Sequence, residues 1–347
     1  MEKIPFLFIF LVVFSVSLHA EPRLAAREGV TCNLCHINPT GAGQRNLFGV
    51  SYAENQLPYW KDFPDVSSLD SQLNPNISIG SDLKFRWTHS ESGDATFTDY
   101  QGDLYLTVDL ARHLAFHLEN DFFSGTQEIF GLISDLPLGF YAKFGRFTLP
   151  YGLRIPDDSS FVRGSLGFAF SLPDDGVEVG LNQGPWFWNA SLTNGTFAGN
   201  DQNDAKAFTV KGGFVKRRLW IGGSFFRNPT PTVTSTRYGL FGALSYWDGT
   251  LLWEIDRGED EEEGSIAQID ASLVELHWLL RQGINLKVKY DFLDPDRDIA
   301  DDDLRRYSAG FEFFPVRFSR FELKYRWNEE SPNQDNNELF SELHLFF

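Results

Sequence analysis

Ile284-Asn285-Leu286-Lys287-Val288-Lys289-Tyr290-Asp291-Phe292 places a large apolar side chain at every second position, with an amide, two lysines and an aspartate between them. A period of two is that of an extended strand, and it sends the apolar set to one face and the polar set to the other. The same alternation recurs on either side of this stretch. Tyr307, Ala309, Phe311 and Phe313 oppose Ser308, Gly310 and Glu312. Phe321, Leu323, Tyr325 and Trp327 oppose Glu322, Lys324 and Arg326, and Leu104, Leu106, Val108 and Leu110 oppose Tyr105, Thr107 and Asp109. A soluble sandwich would press the apolar face against a second sheet. A closed transmembrane barrel would turn it to lipid and line a wet lumen with the other face.

Strand number and spacing choose the barrel. Strands are expected near 77–89, 99–110, 113–123, 127–135, 139–147, 174–182, 185–194, 206–215, 219–227, 234–247, 250–257, 265–280, 283–293, 303–314, 316–327 and 336–347, sixteen in all. Tight turns at Ala111-Arg112, Pro137-Leu138, Gln183-Gly184, Lys216-Arg217-Arg218, Asp248-Gly249, Gln282 and Pro315 alternate with longer polar or acidic connections, Ser124-Gly125-Thr126 being the brief exception. Even strand number, short turns at one end and long loops at the other are the habit of bacterial outer-membrane barrels, whose two ends lie on the periplasmic side. The terminal Leu343-His344-Leu345-Phe346-Phe347 ends an alternating strand on Phe, which resembles the assembly signal of such barrels. The expected fold class is therefore all-β, a 16-stranded antiparallel transmembrane barrel over 76–347.

Composition agrees. The chain holds 34 Phe, 11 Tyr and 9 Trp against one Met, and barrels need aromatic girdles at both membrane interfaces. Beyond the first residues no run approaches the roughly 18 apolar residues of a spanning helix, and only helices and closed barrels satisfy their backbone in lipid. Residues 1–20 read as a secretory signal, with Lys3, an apolar run from Ile4 to Val16 and a small-residue end at Leu18-His19-Ala20, making Glu21 the expected mature N-terminus. The net charge of −18 argues against nucleic acid as a partner. Acid concentrates in Glu259-Asp260-Glu261-Glu262-Glu263 and between Asp294 and Asp303, expected to be solvated loops.

Residues 21–75 lack the alternation and carry the sharpest motif, Cys32-Asn33-Leu34-Cys35-His36, which holds the only two cysteines. C-x-x-C-H is the attachment pattern of one covalent c-type haem. The thiols reach the two vinyl groups on one edge of the macrocycle, and the adjacent imidazole, His36, ligates the iron. A redox pair with a chance His is the other reading, but no βαβ context accompanies it. Zinc would need more Cys or His nearby, and the next is His89. The segment has few large apolar residues beyond Leu47, Phe48, Leu57, Tyr59, Trp60 and Phe63, too few for a core of its own. It is therefore expected to plug the barrel mouth, the lumen wall completing the haem pocket. The only Met is Met1, lost with the signal, which excludes a His/Met haem. Candidate distal ligands are His113, His117 and His344, on lumen-facing parity near the short-turn end; His89 falls on the lipid-facing parity and His277 is ambiguous. A five-coordinate iron, or one bound by an amine or Tyr, stays open. Lys and Arg on the inner faces are natural partners for haem propionates.

Leu24-Ala25-Ala26-Arg27-Glu28-Gly29-Val30-Thr31-Cys32-Asn33-Leu34-Cys35-His36, with Asn38-Pro39-Thr40-Gly41 and Asn46-Leu47-Phe48-Gly49, resembles the N-terminal region of the fused cytochrome–porins over about 25 positions. The resemblance implies a single-haem outer-membrane protein passing electrons between an extracellular partner, such as ferrous iron, and a periplasmic cytochrome or other carrier. The segment Gly145-Arg146-Phe147-Thr148-Leu149-Pro150-Tyr151-Gly152 opens the longest internal connection, 148–173, and resembles part of the phosphate-selective porins. It supports the alternative, a haem-plugged transport porin for ions or small solutes. A third reading is a five-coordinate haem enzyme or sensor, for which no distal acid–base pair stands out.

Overall fold

The alternating stretches fold as sixteen antiparallel strands among the described residues, from Ile77–Ser90 to Glu338–Phe346, each paired with its neighbour in sequence. The computed structural model describes residues 21–63, 69–93, 95–123, 125–157, 159–197, 199–201, 203–262, 264–330 and 336–347; the expected signal at 1–20 lies outside them. Glu338–Phe346 pairs in turn with Asp82–Ser90 of the first strand, which closes the sheet and leaves no free edge. A three-residue strand, Gln72–Asn74, leads in by pairing with Ile77–Ser78.

Burial separates barrel from sandwich. In the strand Ile284–Asp294, Leu286 and Val288 are 44% and 55% exposed, while Lys289 and Asp291 are 2% and 0% exposed. A sandwich core would reverse those values. The charged face turns inward and survives there because its members pair. Lys143 Nζ lies 2.9 Å from Glu178, Lys287 Nζ 3.2 Å from Glu275, and Lys289 Nζ 3.0 Å from Asp157 and 3.1 Å from Asp291. Breaking such a pair by removing one member would strand a buried charge.

Three sequence expectations are corrected. Strand Gly249–Glu262 runs through most of the acidic stretch, so Glu259 to Glu262 extend a hairpin rather than form a loop. They tolerate it because the hairpin tip is solvated and Arg237 pairs with Asp260 at 2.9 Å. His113 is not on a strand. One strand ends at Ala111 and the next starts at Leu114, so His113 lies in the turn between them, its Nδ1 bonded to the Ser134 carbonyl at 3.2 Å. The N-terminal segment, in which strand alternation is lacking and no helix was expected, contains two helices, α1 (Pro22–Glu28) and α2 (Leu47–Asn55). Pro22 presets the first turn of α1 and Gly29 ends it in a left-handed cap. The Asn46 side chain caps α2 by accepting from Gly49 N–H at 3.0 Å.

Residues 21–60 touch inward-facing groups on many sides of the barrel. Arg23 meets Glu312 at 2.6 Å and His277 at 3.1 Å, Arg45 meets Asp82 at 3.1 Å, and Asn38 donates to Glu128 at 2.9 Å. Tyr59 N–H and Trp60 N–H donate to the carbonyls of Phe314 and Pro315, in a short-turn region. The connection 148–173 also folds onto inner-face groups. Tyr151 Oη donates to Asp256 at 2.9 Å and Leu153 N–H to Glu254 at 2.8 Å, while Leu149, Leu153, Val162 and Phe168 form an apolar cluster with Ala25 and Ala26. Gly152 sits there at φ 55°, and a Cβ on it would lie 1.8 Å from Glu254 Oε1, so the close approach requires glycine.

Candidate functional site

A single tight turn collects the motif. Cys32–Leu34 form one turn of 3-10 helix, and the N–H groups of Cys35 and His36 both donate to the Cys32 carbonyl at 3.1 Å. The chain then doubles back. Ile37 N–H reaches the Gln44 carbonyl at 3.1 Å, and His36 Nδ1 donates to the Gly43 carbonyl at 3.2 Å. That bond selects the tautomer with the lone pair on Nε2, the usual second-shell arrangement of a metal-ligating imidazole. Gly41 backs the turn: a Cβ there would stand 2.9 Å from Cys32 Cβ and 3.0 Å from its Sγ.

Cys35 and His36 open on a cavity of about 400 Å³, within the usual range of ligand and cofactor pockets. Its apolar walls include Tyr52 and Ala53 of α2, Leu57 just after it, Phe170 from the long connection, and Phe314 and Phe346 from the barrel. Four cations, Arg45, Lys84, Arg154 and Arg320, also line it. Cys32 stands just outside this lining, against the cluster that includes Leu149 and Leu153.

Of the three distal candidates, His344 alone lines the cavity with His36. Its Nε2 lies 2.7 Å from Asp82 Oδ1, and a carboxylate accepts, so Nε2 carries the proton and Nδ1 the lone pair. Nδ1 is buried and has no hydrogen-bond partner among the described residues. Asp82 also accepts from Tyr105 Oη at 2.8 Å. His117 is fully buried and is not among the cavity's lining residues, its Nδ1 on Thr107 at 2.9 Å, and His113 remains at its turn. His277 is buried between Arg23 and Glu275, and His89 is exposed on the outer face beside Trp87, its expected side.

Charge around the site follows burial and pairing. Burial pushes the Cys35 thiol up to about 12 and raises the Cys32 thiol also, so both stay protonated. Burial alone would raise the Glu21 carboxyl, but Arg23, Arg320 and Lys287 hold it well below the usual range. Asp157 follows the same logic, with Lys289, Lys324 and Arg326 outweighing burial. Arg154 donates to Thr40 Oγ1 at 2.7 Å and stands 3.7 Å from Glu128, yet its buried Nε has no acceptor among the described residues.

These observations test the fit of a c-type haem. A paired thiol turn, an imidazole with the right tautomer, apolar walls, a second imidazole with an unpartnered lone pair and an arginine with an unused donor form a compatible donor set. Sequence reading missed Arg154, Asp82 and α2. Arg154 carries no motif, and its role depends on a 26-residue connection, 148–173, returning across the barrel interior, which alternation does not encode.

No family model matches the sequence, and no curated protein matches it. Solved structures do. OmpT of Vibrio cholerae, expressed in the outer membrane, is 12% identical with a TM-score of 0.63, covering 80% of this chain and 100% of that one. An anion-selective porin from Comamonas acidovorans is 11% identical, TM-score 0.59, over 78% and 99% of the two chains. The outer membrane channel DcaP of Acinetobacter baumannii is 12% identical, TM-score 0.60, over 81% and 100%. At these identities the likeness establishes a shared porin fold.

Proposed function

We propose that the chain is an outer-membrane barrel of the porin type, closed by its own N-terminal segment, and that this segment holds one covalent haem c through Cys32, Cys35 and His36. The barrel would thus move electrons rather than solute. The neighbours by themselves favour the alternative, a transport porin, because they are porins and an outer membrane channel. What supports electron transfer is one local observation: Cys35 and His36 of the C-x-x-C-H turn open on a cofactor-sized cavity bordered by a second histidine, inside a barrel lined by contacts from residues 21–60 and 148–173.

When bound, the haem supplies a one-electron redox couple. The chain's own residues do the rest. Cys32 and Cys35 tether, the Gly43 carbonyl orients His36, and Asp82 leaves the His344 lone pair on Nδ1 as sixth-ligand candidate. Arg154 and its cationic neighbours compensate propionate charge. Apolar walls lower the local dielectric, a lever on reduction potential. With both termini periplasmic, the segment sits near the short-turn end, within reach of a periplasmic cytochrome or other carrier. The long-loop end faces an extracellular donor such as ferrous iron.

A haem stain after denaturing electrophoresis, paired with bilayer conductance, separates the readings. Covalent haem on a band of the mature mass with no porin-sized conductance is the expected result. Open conductance with no haem would make the protein a transport porin.

A further inference from the structure

We infer that His117, Glu119 and Glu128 form a binding site for a first-row divalent metal ion in the barrel wall. The three ligands are barrel residues, none of them belongs to the C-x-x-C-H motif, and the inference stands whether or not the haem reading holds. His117 and Glu119 sit two apart on strand Leu114–Asp121, hence on one face, and Glu119 lies in direct register with Glu128 of strand Gly125–Ile133. One ring nitrogen of His117 and one oxygen from each carboxylate lie within 4.8 Å of one another. Two carboxylates directly opposite across an antiparallel pair repel each other unless a positive charge lies between them.

The imidazole is the independent observation. His117 is 0% exposed, and its Nδ1 is 2.9 Å from Thr107 Oγ1. Thr107 gives its single hydroxyl proton to the Gln44 carbonyl oxygen, and the Gln44 amide in turn donates to Ser78 Oγ at 3.1 Å. Thr107 must therefore accept from Nδ1, which leaves the lone pair of His117 on Nε2. That atom is buried and has no hydrogen-bond partner among the described residues. A buried, lone-pair-bearing Nε2 whose Nδ1–H is fixed from behind is how proteins present histidine to a metal.

The carboxylates are arranged to match. Glu128 is oriented by Asn38 Nδ2 at 2.9 Å and Thr148 N–H at 2.8 Å. Arg154 stands 3.7 Å from its Oε1, and Lys143, paired with Glu178 at 2.9 Å and bonded to Asn38 Oδ1 at 3.1 Å, is a second cation close to that carboxylate. Glu119 makes no ion pair and no hydrogen bond among the described residues, and it lines the cavity, which gives an ion a way in. One imidazole with two carboxylates suits Mn²⁺, Fe²⁺ or Zn²⁺ better than Ca²⁺ or Mg²⁺, which prefer all-oxygen shells.

The test uses the purified full-length barrel in detergent, with folding checked by its heat-modifiable gel mobility. Zn²⁺ titrated by calorimetry and Mn²⁺ followed by electron paramagnetic resonance are the probes. Wild type is expected to bind one equivalent. His117→Ala and Glu119→Gln should weaken it at least tenfold, Thr107→Val roughly 10- to 100-fold through loss of the second-shell bond, and His89→Ala not at all. If His117→Ala does not fold, Glu119→Gln and Thr107→Val decide. Absence of binding by wild type, or affinity unchanged in folded Glu119→Gln and Thr107→Val, overturns the site.

Discussion

Gly152 and His344 can be tested separately, one for the docking of the long connection and one for the cavity. Gly152 holds φ 55° with Glu254 Oε1 where a Cβ would go. Gly152→Ala combines left-handed backbone strain of about 1–2 kcal/mol with a collision against a buried carboxylate. The urea midpoint of the folded barrel should fall accordingly, and an unchanged midpoint would show that the connection 148–173 relaxes freely. His344→Ala removes the cavity's second imidazole. The visible spectrum of the haem-loaded protein should change from that of a low-spin, bis-imidazole iron to a high-spin one, whereas His113→Ala should leave it unaltered. At this scale much was legible. Spacing singles out Cys32, Cys35 and His36 as the candidate haem turn, and parity put His117 and His344 on the inner face, where they lie, but also His113, which falls in a turn. What distinguishes His344 from His117 is which of them borders the cavity, and that depends on the fold of residues 21–60 and 148–173, about which strand parity says nothing.

Among the elements, the strands read easily because burial on one face and an apolar surface on the other force a period of two, and bounds shifted by only a few residues. The N-terminal helices did not, since seven and nine residues are too short for a periodic signal. Their boundary chemistry was present all the same: Pro22 and Gly29 bracket α1, and Asn46 precedes α2. The docking of α1 carries a pH dependence. Burial raises the Glu28 carboxyl from 4.5 to about 7, against the opposing pull of Arg27 and Arg218. A carboxyl raised in the folded state stabilises while protonated. Its contribution is complete below the unfolded value, near 4.5, and is lost as pH rises through about 7. Trypsin cleavage within the segment should therefore accelerate between pH 5 and pH 8, and Glu28→Gln should flatten that rise. A parallel profile in the variant would assign the change to other groups. Deleting residues 22–62 tests the segment as a whole. The sixteen strands hold their own ladder and should still fold, and bilayer conductance should rise from near zero to that of an open barrel.

The whole molecule inverts the usual layout of a protein, with lysines, glutamates and arginines buried in pairs and aliphatic side chains outward, as Lys289 and Val288 show side by side. Only lipid makes that arrangement economical. Its interior differs from the simplest picture of a channel because two stretches, 21–60 and 148–173, take their partners from the barrel's inner face. Sequence patterning reached the barrel and the motif separately; their meeting point, a cavity with Cys35 and His36 on one side and His344 among its other walls, arises only when the long connection and α2 close around it. The most direct measurement is the reduced-minus-oxidised visible spectrum of the mature protein after denaturation and acid–acetone extraction. A c-type absorption that remains with the polypeptide, and disappears in Cys32→Ser/Cys35→Ser, is the predicted result. A colourless wild-type chain, purified from cells able to attach haem, would contradict it.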